Sequence, residues 1–286
     1  MSRGAPFVGA VLNAVSGPAP GLAGEAAFRL FCNPLRRGKI LPRERAVHER
    51  AVTEELAVNG KRVRGYRWGS GEHPVLMVHG WQSRASRYAG FVPRLEALGL
   101  SPVSFDAPGH GDSGGRDTTI LEYREVIGQL QDKYGAFHSV IAHSLGATSA
   151  FLALRGGIKA GRLVTVSAVK DFGHFPDEFS RILGLGPDLR RDLRDRIEHR
   201  LFADVPNPWE LFDATHRPGE IDVPMRIIHD EHDDMVPVEQ AHALKEAYGD
   251  QAELVITVEL GHRKVLGEPR VIDVAMDFIA PSSPRD

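Results

Sequence analysis

The chain has one cysteine, little excess charge and no long apolar run. Cys32 is the only cysteine among 286 residues, so no disulfide can form within the chain. That fits a reducing compartment, and we expect the protein to be cytoplasmic. Lysines and arginines number 35 against 38 aspartates and glutamates, with the two signs intermixed, so no nucleic-acid partner is expected. No apolar run reaches the ~20 residues of a membrane helix, so no membrane span is expected either.

The two ends of the chain carry little pattern. Residues 1–60 are predicted to be a partly helical extension, with a loosely docked or disordered start and then a short amphipathic helix at 26–31 that packs on the body of the protein. The mildly apolar residues 5–15 have almost no charge ahead of them, and glycines and prolines follow, so a cleaved signal peptide is not expected. Residues 281–286 are predicted to be a frayed tail.

Strand-like and helix-like segments alternate from residue 61 onward. Strands are predicted at 62–68, 75–78, 102–105, 140–142, 163–169, 225–228 and 254–258. Helices are predicted at 85–98, 120–134, 145–155, 238–248 and 271–279. This alternation is typical of the α/β class, in which helices cover both faces of a mostly parallel sheet. We therefore predict an α/β core at 61–170 and 224–280.

Residues 171–223 break this alternation. They contain no clear strand, and leucine or isoleucine recurs every four residues from Leu189 to Leu201 among arginines and aspartates. Such a narrow apolar stripe is typical of a helix that packs on one side only. The segment is therefore predicted to be a helical insertion between two core strands.

Ser144 lies in the most informative stretch, Val140-Ile-Ala-His-Ser-Leu-Gly-Ala147. An apolar strand leads into the serine and a helix-forming segment follows it, which is the context that a nucleophile elbow requires. The turn is tight, so the residues two before and two after the serine must be small. Ala142 and Gly146 meet that condition, although glycine is usual at both places. The stretch predicts a serine nucleophile.

Asp233 and His262 follow Ser144 in the chain, each just after an apolar strand. A serine hydroxyl is a weak nucleophile until a base takes its proton. An imidazole can accept that proton and return it to the leaving group. A buried carboxylate fixes the tautomer of the imidazole and stabilises its charged form. We therefore predict a triad of Ser144 as nucleophile, His262 as base and Asp233 as the orienting acid.

Other acids and histidines compete for these roles. Asp171 follows an earlier strand and stays the alternative acid. The acids next to Asp233 are expected to be solvated loop residues: Asp230, Glu231 and Asp234. Asp106 is expected to fix a loop. Three further histidines are expected to shape loops rather than transfer protons: His79, His110 and His143. No cluster has the spacing of a metal site.

Five motifs in this order resemble the α/β-hydrolase superfamily over roughly residues 61–279. They are His79-Gly80-Trp81, Asp106-Ala-Pro-Gly-His-Gly-Asp-Ser113, Ala142-His-Ser-Leu-Gly146, His229-Asp-Glu-His-Asp233 with Val236-Pro237, and Gly261-His262. The resemblance, to the esterase- and lipase-like branch, implies a serine hydrolase that needs no metal or organic cofactor. It also implies that the backbone amides of Trp81 and Leu145 form the oxyanion hole. It does not identify the substrate, because this fold hosts many chemistries.

Members of this superfamily commonly carry a helical cap where residues 171–223 lie. We therefore expect this segment to cover Ser144, the alternative being an ordinary helix on the flank of the sheet. Phe172, Phe179 and Trp209 would then line an acyl pocket, unless they only hold the cap together.

The expected function is hydrolysis of a small to medium carboxylic ester through an acyl-enzyme, with a small-molecule ester as the partner. Amide, thioester or N-terminal peptide hydrolysis by the same machinery is the first alternative. A non-catalytic ligand-binding member of the superfamily is the second.

Overall fold

An eight-stranded sheet forms the centre of the protein, whose computed structural model describes residues 4–280. The strands are β1 (Val52–Val58), β2 (Lys61–Arg67), β3 (Pro74–Val78), β4 (Ser101–Asp106), β5 (Ser139–His143), β6 (Leu163–Val166), β7 (Met225–Asp230) and β8 (Ala252–Thr257). Their order in the sheet is β1-β2-β4-β3-β5-β6-β7-β8. Strand β2 pairs antiparallel with β1 and β4, and all other pairs are parallel.

Helices cover both faces of this sheet. They are α1 (Ala5–Ser16), α2 (Pro20–Cys32), α3 (Pro42–His48), α4 (Val92–Ala97), α5 (Ile120–Tyr134), α6 (Leu145–Arg155), α7 (His174–Leu183), α8 (Pro187–Arg196), α9 (Pro208–Leu211), α10 (Glu239–Tyr248), α11 (Gly261–Lys264) and α12 (Pro269–Ile279). Helices α5, α6 and α10 share one buried core with Leu76 and Val78 of β3, whereas α4 and α12 share the other with Val75 and Met77. Alternate residues of a strand point to opposite faces, so β3 supplies both cores. The predicted α/β architecture is confirmed.

The prediction of a loosely docked or disordered start is wrong for residues 5–25, whereas the helix predicted at 26–31 is the second half of α2. Helices α1 and α2 pack on α7 and α8 of the insertion, and apolar residues of all four helices are buried together. Gly9 allows this approach, because a Cβ there would lie 1.5 Å from the carbonyl oxygen of Leu183. The side chain of Asn13 donates to the carbonyl of Gly184 and accepts from the amide of Gly186, each at 2.8 Å.

Two predicted elements of the α/β core differ from the observed ones by more than two residues in length. The helix expected at 85–98 is divided into a 3₁₀ turn, Ala85–Tyr88, and α4. Gly90 and Pro93 explain the division, since proline lacks an amide hydrogen and is tolerated only in the first turn of a helix. The strand expected at 163–169 ends at Val166 because Ser167 turns the chain with φ 47°. Strand β1 falls within the extension predicted for 1–60, and the tail predicted at 281–286 lies outside the described residues.

Candidate active site

Ser144 occupies a sharp turn between β5 and α6. Its backbone has φ 55° and ψ −124°, a strained combination for a residue with a side chain. Its amide donates to the carbonyl of Val166 on the neighbouring strand at 3.1 Å. Gly146 is required by space, because a Cβ there would lie 2.2 Å from the carbonyl oxygen of Val78. The turn therefore holds the serine at the carboxyl end of the parallel strands, where ligands of such sheets bind.

A continuous hydrogen-bond chain runs from Ser144 through His262 to Asp233. The serine Oγ lies 3.1 Å from His262 Nε2, and His262 Nδ1 lies 2.8 Å from Asp233 Oδ2. The serine and the histidine are each 6% exposed, and the carboxylate is fully buried. Because the carboxylate can only accept, the imidazole carries its proton on Nδ1 and leaves Nε2 free to take the serine proton.

The Asp233 carboxylate is ionised. Burial alone would raise the pKa of Asp233, but the hydrogen bond and charge of His262 bring it down to about 2, with help from the amides of Val236 and Met235. Both amides donate to Oδ1 at 2.9 Å. The alternative acid, Asp171, pairs instead with Lys170 at 3.1 Å. Of the two candidates, only Asp233 contacts the imidazole.

The loop after β3 lies against Ser144. A Cβ on Gly80 would come 2.8 Å from Ser144 Cβ, so the backbone of this loop passes directly beside the nucleophile. The amides of Trp81 and Leu145 donate no hydrogen bond to any group among residues 4–280. Leu145 also opens α6, where the helix dipole favours negative charge. The two free amides are therefore available to an anionic oxygen.

Two buried histidines hold this loop in place. His79 Nε2 accepts from the amide of Ala107, and His110 Nε2 accepts from the amide of Gln82, both at 3.0 Å. Burial lowers the pKa of His79 to about 4 and that of His110 to about 3, so both rings are neutral acceptors. As expected from the sequence, these histidines shape loops.

Asp106 also fixes a loop, as predicted. It is fully buried and accepts from the amides of Ala85 and Asp112, each at 2.8 Å. Tyr66 and Arg84 donate to the same carboxylate at 2.9 and 3.2 Å. Asp106 therefore ties the loops after β3 and β4 together, away from the imidazole of His262.

Comparison with known proteins identifies the family. A model of the Alpha/beta hydrolase family matches residues 75–272, well over half of the chain. The chain belongs to the alpha/beta hydrolase family. A serine hydrolase-like protein of Danio rerio is 28% identical over 165 residues, covering 54% of this chain and 48% of that protein. The acetyltransferase component of an acetoin cleaving system from Cupriavidus necator is 32% identical over 153 residues, covering 52% of this chain and 40% of that protein. The chain thus spans less than half the length of these curated relatives.

Solved structures share the fold of this alpha/beta hydrolase over most of its length. Mouse alpha/beta hydrolase domain-containing protein 10 matches with a TM-score of 0.63 at 17% identity, covering 80% of this chain and 97% of that chain. An esterase of Pyrococcus furiosus matches with a TM-score of 0.62 at 22% identity, covering 86% of this chain and 95% of that chain. A monoacylglycerol lipase of Paleococcus ferrophilus matches with a TM-score of 0.59 at 19% identity, covering 76% of this chain and 98% of that chain. At these identities the likeness is one of fold.

Two residues hold the backbone around His262: the sequence analysis missed Asp230, and it predicted a loop-shaping role for His143 without naming its partner. Asp230, expected to be a solvated loop residue, is fully buried and accepts hydrogen bonds from the turn that precedes the histidine. His143 Nε2 donates to the carbonyl of His262 at 2.9 Å, and the two ring centroids are 4.9 Å apart. Their positions next to a strand end and next to the serine were the available signals, but the pairing depends on turns that the sequence does not specify.

The aromatic residues predicted for an acyl pocket cluster in the insertion of this hydrolase. Phe172 lies 6.3 Å from Trp209 between ring centroids, and Phe31 of α2 lies 6.4 Å from Phe172 and 5.5 Å from Phe179. Phe179, Trp209 and Phe31 are partly exposed, whereas Phe172 is buried. Phe31 was missed as a neighbour of these rings, because the amphipathic pattern at 26–31 predicted a packed helix but did not indicate the insertion as its partner.

Residues 4–280 contain neither a group of metal-ligating side chains nor a helix that could span a membrane. No group of three or more histidines, cysteines, aspartates or glutamates among them is arranged to hold a metal ion. Within the same range, every helix is too short or too polar to cross a membrane.

Proposed function

We propose that this alpha/beta hydrolase is a serine esterase that cleaves a small to medium carboxylic ester through an acyl-enzyme. The observation that carries the proposal is the chain of two hydrogen bonds joining Ser144, His262 and an ionised, buried Asp233. A serine, a base and an orienting acid within hydrogen-bond reach are what nucleophilic catalysis by serine requires.

In the proposed reaction, His262 Nε2 takes the hydroxyl proton as Ser144 Oγ bonds to the ester carbonyl carbon. The carbonyl electron pair moves to oxygen, and the amides of Trp81 and Leu145 donate to that oxyanion. Losing one such donor typically costs ~10²–10³ in rate. Collapse of the intermediate breaks the bond to the alcohol oxygen, which leaves with the proton from His262. Water activated by the same imidazole then releases the acid and restores Ser144.

We further propose that residues 171–223 act as a cap over Ser144 and that Phe172, Phe179 and Trp209 face the acyl chain. Support comes from His174 at the start of α7, whose Nε2 donates to the carbonyl of Met235 in the Asp233 loop at 2.9 Å. The insertion is thus tied to the loop of the acid. Phe172 follows β6, whose last residue, Val166, accepts from the amide of Ser144.

A fluorophosphonate probe tests the proposed mechanism. Wild type should be labelled on Ser144 and should hydrolyse p-nitrophenyl acetate, whereas Ser144→Ala should do neither while keeping its circular dichroism spectrum. Ser70→Ala, which removes a hydroxyl from an exposed serine, serves as the matched control and should behave as wild type. Unlabelled wild type would point to the ligand-binding alternative. If the probe labels Ser144 but the protein hydrolyses thioesters or amides and no esters, the proposed ester substrate is wrong and the thioester or amide takes its place.

A further inference from the structure

Asp230 is a second buried carboxylate in the loop of the proposed acid, and its four hydrogen bonds all go to groups other than the imidazole. Oδ1 accepts from the amides of Gly261 at 2.9 Å and His232 at 3.1 Å. Oδ2 accepts from the amide of Leu260 at 3.1 Å and from the hydroxyl of Thr257 at 2.8 Å. Three of these four donors lie in residues 257–261, directly before His262.

The backbone of residues 259–261 has the shape of an anion-binding turn. Glu259 and Gly261 have left-handed φ values of 65° and 63°, and Leu260 between them is right-handed with φ −96° and ψ −35°. Such alternation turns successive amides toward one side and forms a concavity for an anion. Asp230 fills this concavity, and it has 0% exposure. The left-handed Glu259 is unfavourable by itself, so the turn depends on its acceptor.

The charge state of Asp230 agrees with this arrangement. Burial alone would raise the pKa of Asp230, but hydrogen bonds from Gly261, Thr257 and Leu260 lower it below its usual value. The carboxylate is therefore ionised at neutral pH. An amide side chain could not reproduce it, because only one of its two polar atoms accepts hydrogen bonds.

His262 is thus held from two sides of its own backbone. Asp230 binds the two amides before it, and His143 donates to its carbonyl. Asp233 contacts the ring instead. Asp230 therefore fixes the position of the backbone before His262, and Asp233 fixes the orientation of the imidazole ring.

We propose that Asp230 is the positioning residue for His262: its carboxylate holds the 259–261 turn so that the imidazole reaches both Ser144 and Asp233. The inference rests on the proposed function, in which His262 is the base. Asp230 acts through the backbone and touches neither the substrate nor the reacting atoms.

The test compares Asp230→Asn with two matched controls in the same loop, Glu231→Gln and Asp234→Asn, both at exposed positions. Asp230→Asn should lower kcat for p-nitrophenyl acetate by about 10–100-fold with KM unchanged, because a displacement of ~1 Å costs about 10²-fold. The rate of fluorophosphonate labelling should fall by the same factor. Both controls should match wild type.

A signal that needs no turnover separates this inference from the proposed function. In wild type, the proton between His262 Nδ1 and Asp233 should give a low-field proton resonance in NMR spectra. Asp230→Asn should broaden or remove that resonance, and Glu231→Gln should keep it. If wild type is inert toward esters and probe, the proposed function fails, and the resonance still decides the role of Asp230.

Thr257→Val supplies a second variant of nearly the same shape, should Asp230→Asn fail to fold. It removes one donor to Asp230 and should lower kcat by about 2–10-fold, in the same direction as Asp230→Asn. A lower melting temperature with wild-type kcat, labelling rate and resonance in both variants would overturn the proposal, since Asp230 would then stabilise the fold without positioning His262.

Discussion

At the scale of single residues, Asp233 is fixed by more than the histidine that it contacts. Its second oxygen accepts the amides of Met235 and Val236, so the carboxylate cannot rotate without losing both. The carbonyl of Met235 in turn accepts from His174 of the insertion. The orientation of one carboxylate therefore depends on the loop, and the loop is bonded to the first residue of α7.

We expect Asp233→Asn to lower kcat by about 10⁴, because an amide at this position would favour the wrong imidazole tautomer. Steady-state kinetics on p-nitrophenyl acetate would measure this effect. Asp171→Asn and Asp234→Asn are the matched controls and should stay near wild type. If Asp171→Asn were the damaging change, Asp171 would be the acid in solution, and the geometry around Asp233 would have no catalytic meaning.

The residues of the proposed triad could be predicted from the sequence, but the residues that hold them in place could not. A serine between small residues and a histidine after a strand carry strong local signals, and the structure brings Ser144, His262 and Asp233 together. Asp230 carried no such signal. Its role depends on the left-handed backbone of Glu259, and a glutamate at that position gives no sign of a positive φ.

At the scale of elements, buried strands were predicted well and the chain start was not. Strands β3 to β5 are buried along their whole length, and β3 is a continuous apolar run while β5 has one at its centre. Strand β1 lies at the edge of the sheet and carries two adjacent glutamates, Glu54 and Glu55, which hide its pattern. Helices α1 and α2 pack on residues that lie far away in the sequence, so a local amphipathic pattern could not predict where they dock.

Docking of α2 on the insertion yields a prediction about chain length. Phe31→Ala and Phe179→Ala should each lower turnover of long p-nitrophenyl esters more than turnover of the acetate, since each lost methylene contact weakens binding by ~0.8 kcal/mol and an acetyl group is too short to make one. Phe7→Ala is the matched control, because Phe7 on α1 is 73% exposed. Identical chain-length profiles for wild type and both variants would mean that neither ring faces the acyl chain.

At the scale of the whole molecule, buried neutral histidines make stability depend on pH. Burial lowers the pKa of His79 to about 4 and those of His110 and His143 to about 3, against 6.5 for the exposed ring. Below pH 6.5 the unfolded chain takes up protons that the folded chain refuses, so stability falls as the pH drops from 6.5 toward 4. The buried aspartates have lowered pKa values and contribute only below that window.

We expect each of these three histidines to cost ~2 kcal/mol of folding free energy at about pH 5. Denaturant unfolding at about pH 7.5 and about pH 5 would measure the loss. His110→Gln should reduce the loss by ~2 kcal/mol, whereas His232→Asn, a change at an exposed ring, should leave it unaltered. Equal stability at both pH values would show that the folded protein protonates these rings, against the burial seen here.

Contact between the chain start and the insertion has a consequence for biosynthesis. Asn13 is separated from Gly184, its hydrogen-bond partner, by 171 positions. At a ribosomal rate of about 5–20 residues per second, α1 and α2 leave the exit tunnel roughly 10–30 s before their partner helices are made. The two helices contact each other, but during that interval the sides of Leu12, Ala23 and Ala27 that face residues 183–189 stay uncovered. The apolar faces of both helices therefore stay open to solvent through most of synthesis, and they are covered only after residue 189 has emerged.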